Sequence, residues 1–175
     1  MLSAISAKPT KSFSSLFLRS ASKLFPIKVS GVSQPKEPLH TKLQLADFKI
    51  DIDEIKKLGG DNTGPNPLYV VLSSLAGCEM ILLRLVAKEK KVKIGEVQVE
   101  VDGGIDLKGL YGDPNVYPGY QTIDVRFKLE SEADDKTLHE VMEAARQRCP
   151  VASMLGTHPK IKFTNEWERL KKSKF

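Results

Sequence analysis

Apolar and polar residues alternate with a period of two in three stretches of the chain. The first runs through Leu43, Leu45, Phe48, Ile50 and Ile52, the second through Val97, Val99 and Val101, and the third through Ile123, Val125, Phe127 and Leu129. That period is the signature of strands with one buried face. The first stretch slips phase between Leu45 and Phe48, which predicts a strand pair or one bent strand. The second and third are expected to pair antiparallel and to pack one face on helices. Ile161 and Phe163 predict a short final strand, and the charged tail ERLKKSKF is expected to fray.

Between these stretches the period changes to helical. Leu138, Val141, Met142 and Ala145 recur on one helical face, with the acidic turn Ser131–Asp135 as a cap in front. Pro150 disfavours helix at the residue before it, so this helix is predicted to end near Cys149. Val151–Leu155 predicts one further short turn of helix. Two segments read as loops. LGGDNTGPNP, residues 58–67, is dense in Gly, Pro, Asn and Asp, and 103–119 carries four glycines and two prolines before Gly119. The glycines of residues 58–67 are not followed by a Lys-Ser/Thr pair, and GxGxxG spacing is absent, so no phosphate-binding loop is predicted. Strands and helices in this order predict an α+β fold, a two-layer antiparallel sheet with long central helices.

The segment from Leu68 to Lys91 differs from the others in having apolar residues on nearly every side. Such a helix must be enclosed by protein or by lipid. Lipid is not expected, because Glu79 interrupts a run that falls short of the roughly 20 residues a span needs. A domain of about 140 residues can barely enclose such a helix by itself, so a second subunit is expected on its open face.

Charge changes the picture at one end only. The chain has 175 residues and a net charge of +5, but residues 1–36 contain no Asp or Glu. Lys8, Lys11, Arg19, Lys23 and Lys28 account for the whole excess of 27 basic over 22 acidic residues. The rest is neutral, so no nucleic-acid partner is expected. In residues 1–30, Phe13, Phe17, Ala21 and Leu24 fall on one helical side, with Lys11, Arg19 and Lys23 opposite. An acid-free, Ser-rich, cationic amphipathic helix is the composition of an organelle transit peptide. It predicts import into the mitochondrial matrix, with a plastid or a simple basic tail as alternatives and a cut between about residues 20 and 36. The domains expected are then 1–30 as presequence, 37–167 as the folded domain and 168–175 as a charged tail.

Candidate chemistry narrows to two cysteines. Cys78 lies mid-helix after Gly77, with Ser73 and Ser74 one turn before it and Glu79 beside it. A helical Gly costs about 1 kcal/mol relative to Ala, and a buried Glu needs a partner. Cys149, in RQRCP, becomes an N-cap if Pro150 opens a helix. The peptide dipoles, with Arg146 and Arg148, are then expected to lower its pKa. Either thiol has a plain alternative, an inert buried Cys or a turn residue. A bond between them in a reducing compartment points to catalysis or regulation rather than to structure. His40, His139 and His158 are too scattered for zinc, and a Cys/His pair using His158 stays open. Glu37, Asp47, Asp51 and Asp53 read as a solvated acidic edge.

LGGDNTGPNPLYVVLSSLAGC (58–78) followed by a helix, Pro118-Gly119-Tyr120 before a strand, and Arg148-Cys149-Pro150-Val151 at a helix end together resemble the OsmC/Ohr superfamily. The resemblance runs from about Leu43 to Thr164 and implies an intertwined homodimer with long helices between sheets and two active sites at the interface. It also implies that Cys78 attacks a peroxide, that its sulfenic acid is resolved by Cys149 as a disulfide, and that a dithiol or lipoyl-protein reduces the bond. No cofactor and no metal follow from it. Many relatives carry a Glu nine or ten residues before the first Cys, where it orients an Arg from the early strands. Here those positions are Tyr69 and Leu68, and no Arg occurs between Arg19 and Arg84. The retained cysteines favour a thiol-dependent peroxidase. The missing Glu and Arg favour a non-catalytic dimeric module that binds an apolar ligand or senses redox state.

Overall fold

The computed structural model describes residues 27–34 and 37–170. The expected presequence helix lies outside them. Two three-stranded sheets form. The first consists of β1 (Val29–Gln34), β2 (Glu37–Leu45) and β3 (Phe48–Ile52), all antiparallel, with β2 in the centre. The phase slip after Leu45 is therefore a hairpin. β1 precedes the domain start expected at residue 37. Its sequence, VSGVSQ, has no alternation to reveal it, and all six residues are exposed. Gly31 lets the strands close: a Cβ there would overlap the Leu43 side chain opposite it.

The long helix α1 (Pro67–Glu89) follows. Pro67 takes the first helical position, where its missing N–H is harmless, and Asn66 caps the end by accepting from Tyr69 N at 3.1 Å. By length and composition this helix is apolar enough to cross a membrane, so the expected shortfall in length does not hold. It packs on one side. Leu75, Glu79, Leu83, Val86 and Ala87 are buried, whereas Ile81 is 70% exposed and Tyr69 63%. One chain does not enclose it.

The second sheet holds the core. β4 (Ile94–Ile105) pairs antiparallel with β5 (Tyr120–Ser131), as the alternation predicts. β4 runs past Gly103 and Gly104, which the sequence pattern assigns to the loop. A single turn, α2 (Leu107–Leu110), follows it. Along β5, Ile123, Val125, Phe127 and Leu129 are each at most 2% exposed. They meet Leu75 and Leu83 of α1 and Leu138 and Val141 of α3 (Asp135–Arg148) in one buried cluster. Each such side chain contributes roughly 1.5–3 kcal/mol on burial.

After α3 the chain turns at Cys149 into α4 (Pro150–Gly156) and returns as β6 (Lys162–Arg169). β6 pairs parallel to β5, so the second sheet is mixed rather than purely antiparallel. A parallel neighbour needs a crossover of a dozen or more residues, and α3 and α4 supply it. The strand also extends into the expected fraying tail. Arg169 donates to Asp135 Oδ1 at 3.0 and 2.7 Å and to Ser131 O at 2.7 Å, pinning the end of β6 to the turn before α3.

Candidate functional site

Packing of α1 against α3 and α4 brings Cys78 and Cys149 together. Their sulfurs lie 3.0 Å apart, with the Cys149 thiol donating to Cys78 Sγ, and both are free thiols. Cys78 is half-buried on α1, and Cys149 is 0% exposed.

Cys149 occupies a corner set by its neighbour. Pro150 starts α4 and forces the preceding residue into an extended conformation, φ −80° and ψ 112°. Cys149 thus ends α3 and caps α4, accepting from Ala152 N at 3.3 Å. The expected N-cap forms, but the expected low pKa does not. Burial, and then the hydrogen bond to Cys78, push the Cys149 thiol up to about 11, against the opposing pull of the Ala152 N–H. The two arginines do not help it. Arg146 is turned to Glu143 at 2.8 Å and Arg148 to Glu89 at 2.6 Å. Cys149 is held as a thiol, a proton donor aimed at Cys78 rather than a second thiolate.

Around Cys78 the other expectations separate. Ser73 and Ser74 are exposed and spend their hydroxyl protons on Tyr69 O and Val71 O, both at 2.7 Å. Glu79 points into the protein, 3% exposed, and accepts from the Asn165 amide of β6 with both oxygens, at 3.0 and 2.9 Å. Burial raises its pKa, while Asn165 and the charge of Arg146 pull it back. Asn165 was invisible in the sequence because nothing marks a polar residue on an edge strand as the partner of a helix some 90 residues earlier in the chain.

His158 is not paired with a thiol. Its Nε2 lies 3.2 Å from Tyr117 Oη, its ring stacks on that tyrosine, and its Nδ1 accepts from Lys160 N. This ties the 107–119 loop to the α4–β6 connection. His40 lies 3.7 Å from Asp51. Among the described residues no group of three or more His, Cys, Asp or Glu side chains is placed to hold a metal ion.

Asp53 also departs from the solvated edge expected of it. It is 1% exposed and accepts from the backbone N–H groups of Glu54, Asp61 and Thr63 and from the Thr63 hydroxyl. These bonds, led by that from Thr63 N, hold its carboxyl down to about 2 despite burial. The turn-rich segment before α1 is folded around this one carboxylate. Gly60 and Gly64 pass so close to the backbone of Glu54 and Asp51 that a Cβ would overlap it.

A family model described as OsmC-like protein matches residues 60–164, a segment that includes both cysteines. Among curated proteins, a hydroperoxide reductase of Mycoplasma pneumoniae is 27% identical over 116 residues, covering 66% of this chain and 78% of the relative. One of Mycoplasma genitalium is 23% identical over 109 residues, covering 62% and 73%. Among solved structures, an OsmC like protein from Mycoplasma pneumoniae superposes with a TM-score of 0.72 at 20% identity, covering 84% of this chain and 99% of that one. An organic hydroperoxide resistance protein from Legionella pneumophila gives 0.64 at 15% identity, covering 84% and 99%. The two-sheet α+β fold is the fold of these structures.

Proposed function

The chain belongs to the OsmC-like protein family, and from that premise we propose that it is a thiol-dependent peroxidase that reduces organic or hydrogen peroxides. The observation that carries the reading is the 3.0 Å approach of two free thiols from distant parts of the chain, one donating to the other. The Cys149 thiol already lies beside the Cys78 sulfur, about 1 Å beyond disulfide bonding distance. The Cys78 thiolate attacks the terminal oxygen of a hydroperoxide. The O–O bond breaks, the alkoxide takes up a proton and leaves as the alcohol, and Cys78 becomes a sulfenic acid. Cys149 then attacks that sulfur, water leaves, and a Cys78–Cys149 disulfide forms. A dithiol, free or lipoyl-bound, reduces it and becomes a disulfide itself.

The site is completed by a second copy of the chain, since the outer face of α1 and the first sheet lie open in one copy. The protein works in the mitochondrial matrix, a placement supported by the acid-free residues 1–36. Light scattering and fractionation test these two statements. The activity is tested with purified protein, dihydrolipoamide, and cumene hydroperoxide or hydrogen peroxide. Cys78→Ser is expected to abolish turnover, and Cys149→Ser to consume about one equivalent and stop. No consumption of either peroxide by the wild type overturns the reading.

One observation favours the alternative of a redox sensor. Arg146 and Arg148 are engaged by Glu143 and Glu89, away from the thiols. A sensor forms the same disulfide with peroxide but does not turn over when dithiol is supplied.

A further inference from the structure

The chemistry above gives no role to the arginine that precedes Cys149. Arg148 grips Glu89 with two bonds, Nη1 to Oε2 at 2.6 Å and Nη2 to Oε1 at 3.2 Å. Glu89 is the last residue of α1 and Arg148 the last of α3. One bidentate ion pair therefore ties the helix that carries Cys78 to the residue beside Cys149. Lys90, just past the end of α1, lies 3.7 Å from Glu140 of α3 and makes a looser tie. The Arg146–Glu143 pair is internal to α3, and Arg146 acts on α1 only through its charge near Glu79.

The corner is where such a tie has consequences. Cys149 lies between two helices at a backbone bend, the kind of element-terminal position that absorbs motion. Closing from the observed 3.0 Å to a disulfide of about 2.05 Å needs a shift of about 1 Å. Admitting a dithiol needs the opposite movement. Glu89 has its carboxyl lowered by the Arg148 hydrogen bond, so the pair is formed at neutral pH.

We propose that Glu89 and Arg148 form a positioning pair that holds the α3–α4 corner against α1 and thereby sets how readily Cys149 closes on Cys78. This rests on Cys78 and Cys149 acting as an exchanging pair, as in the proposed function, but not on peroxide being the oxidant. Loosening the corner gives the dithiol form more freedom and leaves the bonded form little changed, so the disulfide becomes less favoured.

The full chain, titrated against reduced and oxidised dithiothreitol, tests it without any peroxide. Glu89→Gln is expected to lower the equilibrium constant for the Cys78–Cys149 disulfide about fivefold, a potential higher by about 20 mV. Arg148→Lys keeps the charge, loses the fork and falls between. Salt at 1 M moves the wild type toward Glu89→Gln, because a half-exposed pair is screened. The reversed pair, Glu89→Arg with Arg148→Glu, restores the constant. In peroxide turnover, Glu89→Gln lowers kcat about fivefold and changes kcat/KM less than twofold, since the second ratio reports the attack by Cys78. Lys128→Ala, which breaks the 3.4 Å pair with Glu168 on the second sheet, changes neither quantity.

Equal constants for Glu89→Gln, Arg148→Lys and the wild type overturn the proposal. So does a loss that is indifferent to salt and not restored by the reversed pair, which marks a general loosening of the fold. A shifted constant with no peroxide consumed leaves the positioning pair standing and removes the peroxidase reading. The converse result does the reverse.

Discussion

The second sheet and the β2–β3 hairpin of the first are built from strands of the same alternating type, yet only one of them has a core. Along β5 every second residue from Ile123 to Leu129 is sealed under α1 and α3. On the first sheet Val29, Val32 and Phe48 are 52%, 60% and 76% exposed, and none of its described residues belongs to the buried cluster. The outer face of α1, with Ile81 and Tyr69, shares that condition. The alternation on the first sheet specifies a buried face as clearly as on the second. What differs is that the described chain supplies a cover for the second sheet and not for the first. The thiol pair lies where α1 meets the α3–α4 corner, between the covered side and the open one, with Cys149 sealed and Cys78 half-open.

The largest effect that tests this contrast is a core truncation. Leu129→Ala is expected to cost about 2–5 kcal/mol, because a residue at 0% exposure leaves a cavity. Ile50→Ala on the first sheet is expected to cost under about 1 kcal/mol in a lone chain. If a second copy covers that sheet, the Ile50→Ala loss grows and depends on protein concentration. Urea unfolding at two concentrations measures both, and a large, concentration-independent loss for Ile50→Ala would mean that this chain covers the sheet itself.

Next in size is the carboxylate that joins the two regions. Asp53 is held near 2, below the ordinary 3.8, so the unfolded chain binds its proton first as pH falls. Its stabilisation is present above about pH 3.8 and is lost as pH falls through about 2. Thermal midpoints measured from pH 5 to 2 are expected to drop in the wild type and to be flatter, and lower at pH 5, in Asp53→Asn. A parallel pair of curves breaks the assignment. Cys149 gives the mirror case on the covered side. Its pKa is raised from 9.0 to about 11, so its contribution is complete below about pH 9 and is lost as pH rises through about 11. Cys149→Ala removes that decline between pH 9 and 11. A decline of equal slope in the variant sinks the buried-thiol account.

Much of this was legible in the sequence, and the misses have physical reasons. The alternation of Val97–Val101 and Ile123–Leu129 and the helical period of Leu138–Ala145 named the core, because burial on one face leaves a periodic trace. The direction of β6 left none, since parallel and antiparallel neighbours can show the same alternation. β1 left none either, being exposed throughout. At the site, Pro150 revealed the corner and so placed Cys149 as a cap. The electrostatics were not legible. RQRC reads as a thiol among positive charges, but Arg146 and Arg148 are drawn away by Glu143 and Glu89, the second of which lies 59 residues distant in the chain. Asp53 looked solvated for a similar reason: three of its four donors are backbone N–H groups, which no residue type announces.

The smallest predicted effect probes the open face at its most informative point. Gly77 sits in mid-helix beside Cys78, and a Cβ added there meets nothing within 4 Å. For a lone chain the arithmetic is simple. Helix propensity makes Gly77→Ala about 1 kcal/mol more stable, with no contact to offend. A glycine kept at that cost needs a second surface to explain it, one approaching closely enough that a methyl group intrudes. If that surface is the second copy, Gly77→Ala stabilises the dissociated chain against urea at low concentration while weakening the dimer, seen as a raised dissociation constant in light scattering. If the open space instead receives substrate, the dimer is untouched and kcat/KM falls more for cumene hydroperoxide than for hydrogen peroxide. A variant that is merely more stable, with dimerisation and both rates unchanged, shows that the face beside Cys78 is as empty in the working protein as it is in one chain.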